Sequence, residues 1–130
     1  MALDSGEGEP LARYITQRSH FRPSDNTVKP NAFMPPRTGR LSVYMVQGLS
    51  EPEIWEIGNS VVAPVLHATI LGRADVNSLR VYENHLRVQP SPQPHPRHAD
   101  IVGWDLESTQ TRLIALKLAA ASQFREVPAE

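Results

Sequence analysis

Proline sets the limits on what this chain can fold into. There are 12 prolines in 130 residues, and eight of them fall in two stretches, "QRSHFRPSDNTVKPNAFMPPRTGR" and "QPSPQPHPRH". A proline fixes φ and removes a backbone donor, so neither stretch can be a helix interior or a central strand. The first reads as a long loop following a short strand, "LARYIT", and its Phe21, Phe33 and Met34 mark it as a loop that packs down. The second reads as an extended, polyproline-like surface segment, a rigid spacer or a docking element.

Regular structure is confined to what the prolines leave free. "LSVYMVQG" alternates Leu41, Val43 and Met45 with Ser42, Tyr44 and Val46, the two faces of a strand. In "LSEPEIWEIGN", Ser50 and Glu53 have capping-box spacing, so a helix is predicted from Glu51 to about Ile57, closed by a left-handed Gly58. "VVAPVLHATILG" predicts a strand from Val65 to Leu71, and "ADVNSLRVYEN" a helix capped by Asp75. A short strand "LRV", a last strand "HADIVGW" and a long helix in "DLESTQTRLIALKLAAASQF", capped by Asp105 or Ser108, complete the order. The apolar residues of that helix nearly encircle it, as in a helix that is central or covers a partner. The expected architecture is α+β: a mixed sheet of about five strands covered by three helices, in the simplest version on one face, with a long N-terminal loop. Residues 1–10 are expected as a disordered tail, 11–124 as a single domain and 125–130 as a C-terminal tail. Trp55 and Trp104, each beside a glycine turn, are expected to be buried.

Composition excludes several function classes. No segment approaches the roughly 18 apolar residues of a membrane span. The acidic start "MALDSGEGEP" lacks the pattern of a secretory signal, so a cytoplasmic location and no membrane partner are expected. Cysteine is absent, which removes thiolate chemistry, and a net charge of -1 gives no global field for nucleic acid. There is no P-loop, dinucleotide fingerprint, G-x-S-x-G or H-E-x-x-H, so no cofactor is implied. No metal is expected either, because His95 and His98 sit in a proline loop that does not preset ligand geometry.

Two features carry chemistry. The words "HATILGRAD" and "HADIVGWD" put His67 and His98 at corresponding positions, and both read as a strand, a glycine turn and an acidic helix cap. "HATI" also resembles the H-x-T/S-hydrophobic motif of the two-histidine phosphoesterases. That resemblance implies His67 and His98 as acid and base on a cyclic phosphate, although the second word carries Asp100 where the motif has a hydroxyl. The other feature is a run of cations from Arg13 to Arg40, in which Arg18, Arg22 and Lys29 are the candidate anion-binding residues, with His20 interleaved as a third candidate acid or base. The expected function is a small binding or adaptor module, non-catalytic on its own, acting through another protein or a second copy of itself. The alternative is a phosphate-directed enzyme or a weak RNA- or nucleotide-binding protein using His98, His67 and His20 with the basic loop. Convergence distinguishes the two, since an enzyme needs these side chains around one pocket.

Overall fold

The structure is a computed structural model that describes residues 8–107 and 109–129. In chain order it contains β1 (Pro10–Ile15), β2 (Phe21–Arg22), β3 (Thr27–Val28), β4 (Leu41–Met45), α1 (Glu51–Ile57), a π turn (Gly58–Val62), α2 (Ala63–Leu66), β5 (Gly72–Asn77), α3 (Ser78–Glu83), β6 (Arg87–Pro90), β7 (His98–Val102), α4 (Gln110–Ala121) and β8 (Gln123–Glu126). The class is α+β, as the sequence predicts. Six strands form one sheet in the order β6-β7-β4-β1-β5-β8, with β2 and β3 as a separate hairpin. Every pairing is antiparallel, where the sequence predicts a mixed sheet. The strand–helix–strand units β4-α1-α2-β5 and β7-α4-β8 do produce strands that run the same way. Other strands always separate them: β4 and β5 lie on opposite sides of β1.

Helices cover both faces, which corrects the one-layer expectation. Leu11, Ile15, Leu41, Val43, Ala74, Val76, Ala99 and Ile101 face α3, α4 and the packed-down loop, whose Phe21, Phe33 and Val28 are buried with them. Ala12, Tyr14, Tyr44 and Val46 face α1, the π turn and α2. Alternation along each strand therefore feeds two cores. The second is the more polar, because Ser42, Arg73, Asp75, His98 and Asp100 fall on the same parity as Tyr14 and Tyr44.

Several local expectations change for identifiable reasons. The Ser50–Glu53 capping box forms as predicted. Gly58 is right-handed, with φ -59°, so it does not end α1; a Cβ there would stand 2.8 Å from the Tyr14 ring, and close packing is what requires glycine. The helix runs on through the π turn and α2, and the left-handed terminator is His67, φ 53°. Residues 65–71 are thus no strand: Pro64 starts a helical turn and the strand begins at Gly72. Asp75 lies inside β5, and the cap of α3 is Asn77, whose side chain accepts from the Leu79 amide. Gly72, in a strand rather than a turn, lies under the Phe124 ring. The last helix begins at Gln110; the Asp105 side chain accepts from the Glu107 amide instead of capping it, and the Ser108 alternative lies outside the described residues. It stops at Ala121, since Phe124 is needed in β8, where it stacks on Phe21 with 4.7 Å between centroids. The sheet so takes in Arg125 and Glu126, two residues expected in the tail. Trp55 is buried; Trp104 is half-buried, its Nε1 donating to the Ile101 carbonyl. Among the described residues no helix is long and apolar enough to cross a membrane.

Candidate functional site

The sheet opens at its centre. Strand β1 pairs with β5 along its whole length, from Pro10↔Asn77 to Ile15↔Gly72, but with β4 only at Leu11↔Met45 and Ala12↔Tyr44. Beyond that point β1 and β4 diverge, and the ladder partners that Ser42 would find on β1 are missing. A strand carbonyl left out of its ladder takes another donor where one is within reach. Arg13 fills the gap: its Nη1 donates to the Ser42 carbonyl at 2.9 Å and its Nε to the Ala32 carbonyl at 2.8 Å.

The divergence leaves a cleft of about 300 Å³. Arg13, Tyr14, Thr16, Gln17 and His20 line one side, Ser42, Tyr44 and His98 the sheet floor, and Val62, Val65, Leu66 and Pro94 the rim. A more open hollow of about 280 Å³ continues from it, sharing Arg13, Gln17, His20 and Ser42 and adding Arg40. No carboxylate among the described residues lines either one.

His98 is held by the turn that the proline segment makes between β6 and β7. Ser91 donates its amide to the His98 carbonyl, and the Ser91 carbonyl lies 2.8 Å from Nδ1. A carbonyl only accepts, so Nδ1 carries the proton and Nε2 of the neutral ring is an acceptor. That Nε2 lies 3.1 Å from Ser42 Oγ and 3.8 Å from Asp100 Oδ1, while Asp100 pairs with Arg40 at 3.3 Å. Tyr44 packs edge-on against the His98 ring at 5.2 Å.

The electrostatics at the cleft are unbalanced. Both acceptors of Arg13 are neutral carbonyls, and burial lowers its pKa to about 10. Among the described residues no carboxylate pairs with it. His20 is lowered from its ordinary value, first by burial and then by the Arg13 charge. Burial and the Asp100 charge push the Tyr44 hydroxyl up.

Of the residues the sequence singles out, the cleft brings together His98 and His20. His67 is exposed at the end of α2 and is not among its lining residues. Arg18, Arg22 and Lys29 do not line it either; Arg22 is exposed and pairs with Asp25 at 3.6 Å. Sequence reasoning missed Ser42 and counted Arg13 only as part of the basic run. The signal for Arg13 was present in "LARYIT", where alternation places a cation between Leu11 and Ile15 on an apolar face. Among the described residues no group of three His, Asp or Glu could hold a metal.

Fold and cleft together define an α+β protein with a cationic pocket between two splayed strands of an antiparallel sheet. No family model, curated protein or solved structure matches the chain, so the pocket is read from its own chemistry.

Proposed function

We propose that this protein binds a small anionic molecule in the cleft between β1 and β4. One observation carries the reading: Arg13, half-buried and without a carboxylate partner among the described residues, lines the same cavity as His20 and His98. Partial burial makes a cation more costly unless something compensates it, and a ligand carboxylate or phosphate would accept from its guanidinium. The cavity volume is at the lower end of the range for small-molecule sites. Val62, Val65 and Leu66 supply an apolar wall for the rest of the ligand, and His20 could add a second positive charge once protonated.

Titration with inorganic phosphate, followed by the imidazole signals of the five histidines, tests this. Binding should move the signals of His20 and His98, leave that of His67 in place, and weaken steeply in Arg13→Met. Binding that survives in Arg13→Met but is lost in Arg22→Ala and Lys29→Ala would instead favour the loop as a nucleic-acid surface. No shift would remove the anion reading.

A separate observation supports an adaptor role. Leu113 and Leu116 on α4 are 42% and 49% exposed, an apolar strip three residues apart on its outer face. A protein partner or a second copy of the chain would cover it, and sedimentation at increasing protein concentration tests the second-copy version.

A further inference from the structure

We propose that Ser42 and His98 form a nucleophile–base pair that cleaves small esters bearing an anionic group. The proposal rests on the reading above only in needing the cleft to admit a ligand. Three observations place the pair. Ser42 is exposed and opens on the cleft, whereas His98 behind it is buried, so the nucleophile is accessible and its base is shielded from water. Ser42 Oγ lies 3.1 Å from Nε2, within the reach of a nucleophile and its general base. The Ser91 carbonyl at 2.8 Å fixes the proton on Nδ1 and leaves Nε2 free to accept, the tautomer such a base requires. Asp100 at 3.8 Å supplies negative charge for the imidazolium that forms.

The chemistry closes with water as the second reactant. Ser42 Oγ adds to the ester carbonyl carbon as its proton passes to Nε2, and the carbonyl oxygen becomes an oxyanion. Arg13 uses Nε and Nη1 on backbone carbonyls and keeps Nη2, which has no partner among the described residues, for that charge. Collapse breaks the bond to the alkoxy group, which leaves with the proton from Nε2. Water, deprotonated by Nε2, then adds to the acyl-Ser42 ester; the acid departs, and the proton returns to Ser42 Oγ. No outside oxidant or reductant is required.

An irreversible probe avoids the background that free imidazole gives with activated esters. A fluorophosphonate, which loses fluoride to an activated serine, is incubated with the full chain, and the adduct is located by peptide mass spectrometry. The expected result is a single adduct on Ser42. His98→Asn should slow labelling by about 100-fold or more, the typical contribution of a general base; a thermal unfolding scan checks that this variant is folded. If it is not, the wild-type adduct position decides. Absence of an adduct, adducts scattered over other serines, or labelling untouched by a folded His98→Asn would each overturn the pair. The phosphate titration separates this outcome from the anion reading. Binding without an adduct retains the cleft and removes the pair, an adduct without binding does the reverse, and neither result removes both.

Discussion

Two arginines sit on neighbouring strands, on opposite faces of the sheet, and their surroundings differ as much as their faces. Arg73, on β5, is 1% exposed and closed in by matched charge: it donates to Asp75 at 2.9 Å and to Glu51 at 2.8 Å, with its guanidinium 4.8 Å from the Trp55 ring centroid. Arg125 from the edge strand also reaches Asp75, at 3.3 Å, so two cations meet two carboxylates. Burial works against the Arg73 charge, but the hydrogen bonds to Asp75 and Glu51 outweigh it and the pKa is raised. Arg13, on β1, meets only carbonyls, and its pKa falls. Both side chains tie strands and helices together. The charge of Arg73 is spent inside the protein, whereas that of Arg13 faces a cavity. An internally matched ion cluster is structural; a half-buried ion left without a counter-charge at a cleft points to a ligand.

The largest expected effect sharpens that contrast. Arg73→Met removes the buried centre of the cluster; Arg125 still reaches Asp75 and Glu51 is 60% exposed, so solvent screens part of the loss and the cost is about 2–3 kcal/mol. Urea unfolding should show it, while phosphate affinity stays as in the wild type. A loss below about 1 kcal/mol would mean the cluster is not what holds α1 to the sheet. Arg13→Met should behave inversely. Water entering the cleft can replace its hydrogen bonds to Ser42 and Ala32, so stability falls by only about 1–2 kcal/mol. Phosphate affinity should fall by about tenfold or more, the equivalent of one charge-assisted hydrogen bond. Equal effects of the two substitutions on both readouts would erase the distinction.

The same contrast explains what could be read from the sequence. The α+β class, the capping box at Ser50 and the packed-down loop with Phe21 and Phe33 depend on local signals, and all three were legible. The register between strands was not, because nothing in "LARYIT" announces that β1 pairs with β5 along its length and with β4 over two residues. Since that mismatch creates the cleft, the site was legible only in fragments: His20 and His98 as histidines, Arg13 as one cation among six. Ser42 reads as a solvent-facing strand residue until α1 and α2 are known to cover part of its face. The repeated word misled because identical letters meet different neighbours. Pro64 turns the first copy into the end of a helix, while the second pairs across β4 as a strand.

A smaller effect comes from pH. His20 in the folded protein has its pKa lowered below the ordinary 6.5, so the unfolded chain binds the proton more readily. The stability that neutral His20 contributes is therefore present above pH 6.5 and lost as pH falls from there through the folded value. His20→Gln should flatten that part of a plot of melting temperature against pH. Phosphate binding runs the other way. An anion beside Arg13 offsets the repulsion that helps to keep His20 neutral, so affinity should rise on acidification through the same window, with proton uptake visible in calorimetry as a dependence on buffer ionisation enthalpy. Affinity independent of pH would place the anion away from His20.

The smallest effect concerns the histidine that the sequence ranked with the others. His67 holds φ 53° at the end of α2, a conformation that costs a residue with a Cβ about 1–2 kcal/mol relative to the right-handed one. Glycine adopts it freely but loses about 0.5–1 kcal/mol more backbone entropy on folding. His67→Gly should therefore stabilise the protein by up to about 1 kcal/mol, in the way that a glycine suits a left-handed helix end. The exposed imidazole lines neither hollow, so phosphate affinity and Ser42 labelling should both match the wild type. Loss of either would bring His67 into the site and restore the paired-histidine reading that the phosphoesterase resemblance implied. With stability raised and binding intact, the two histidines would be separated by experiment as they are by the fold: His67 ends a helix, and His98 faces Ser42 across the floor of the cleft.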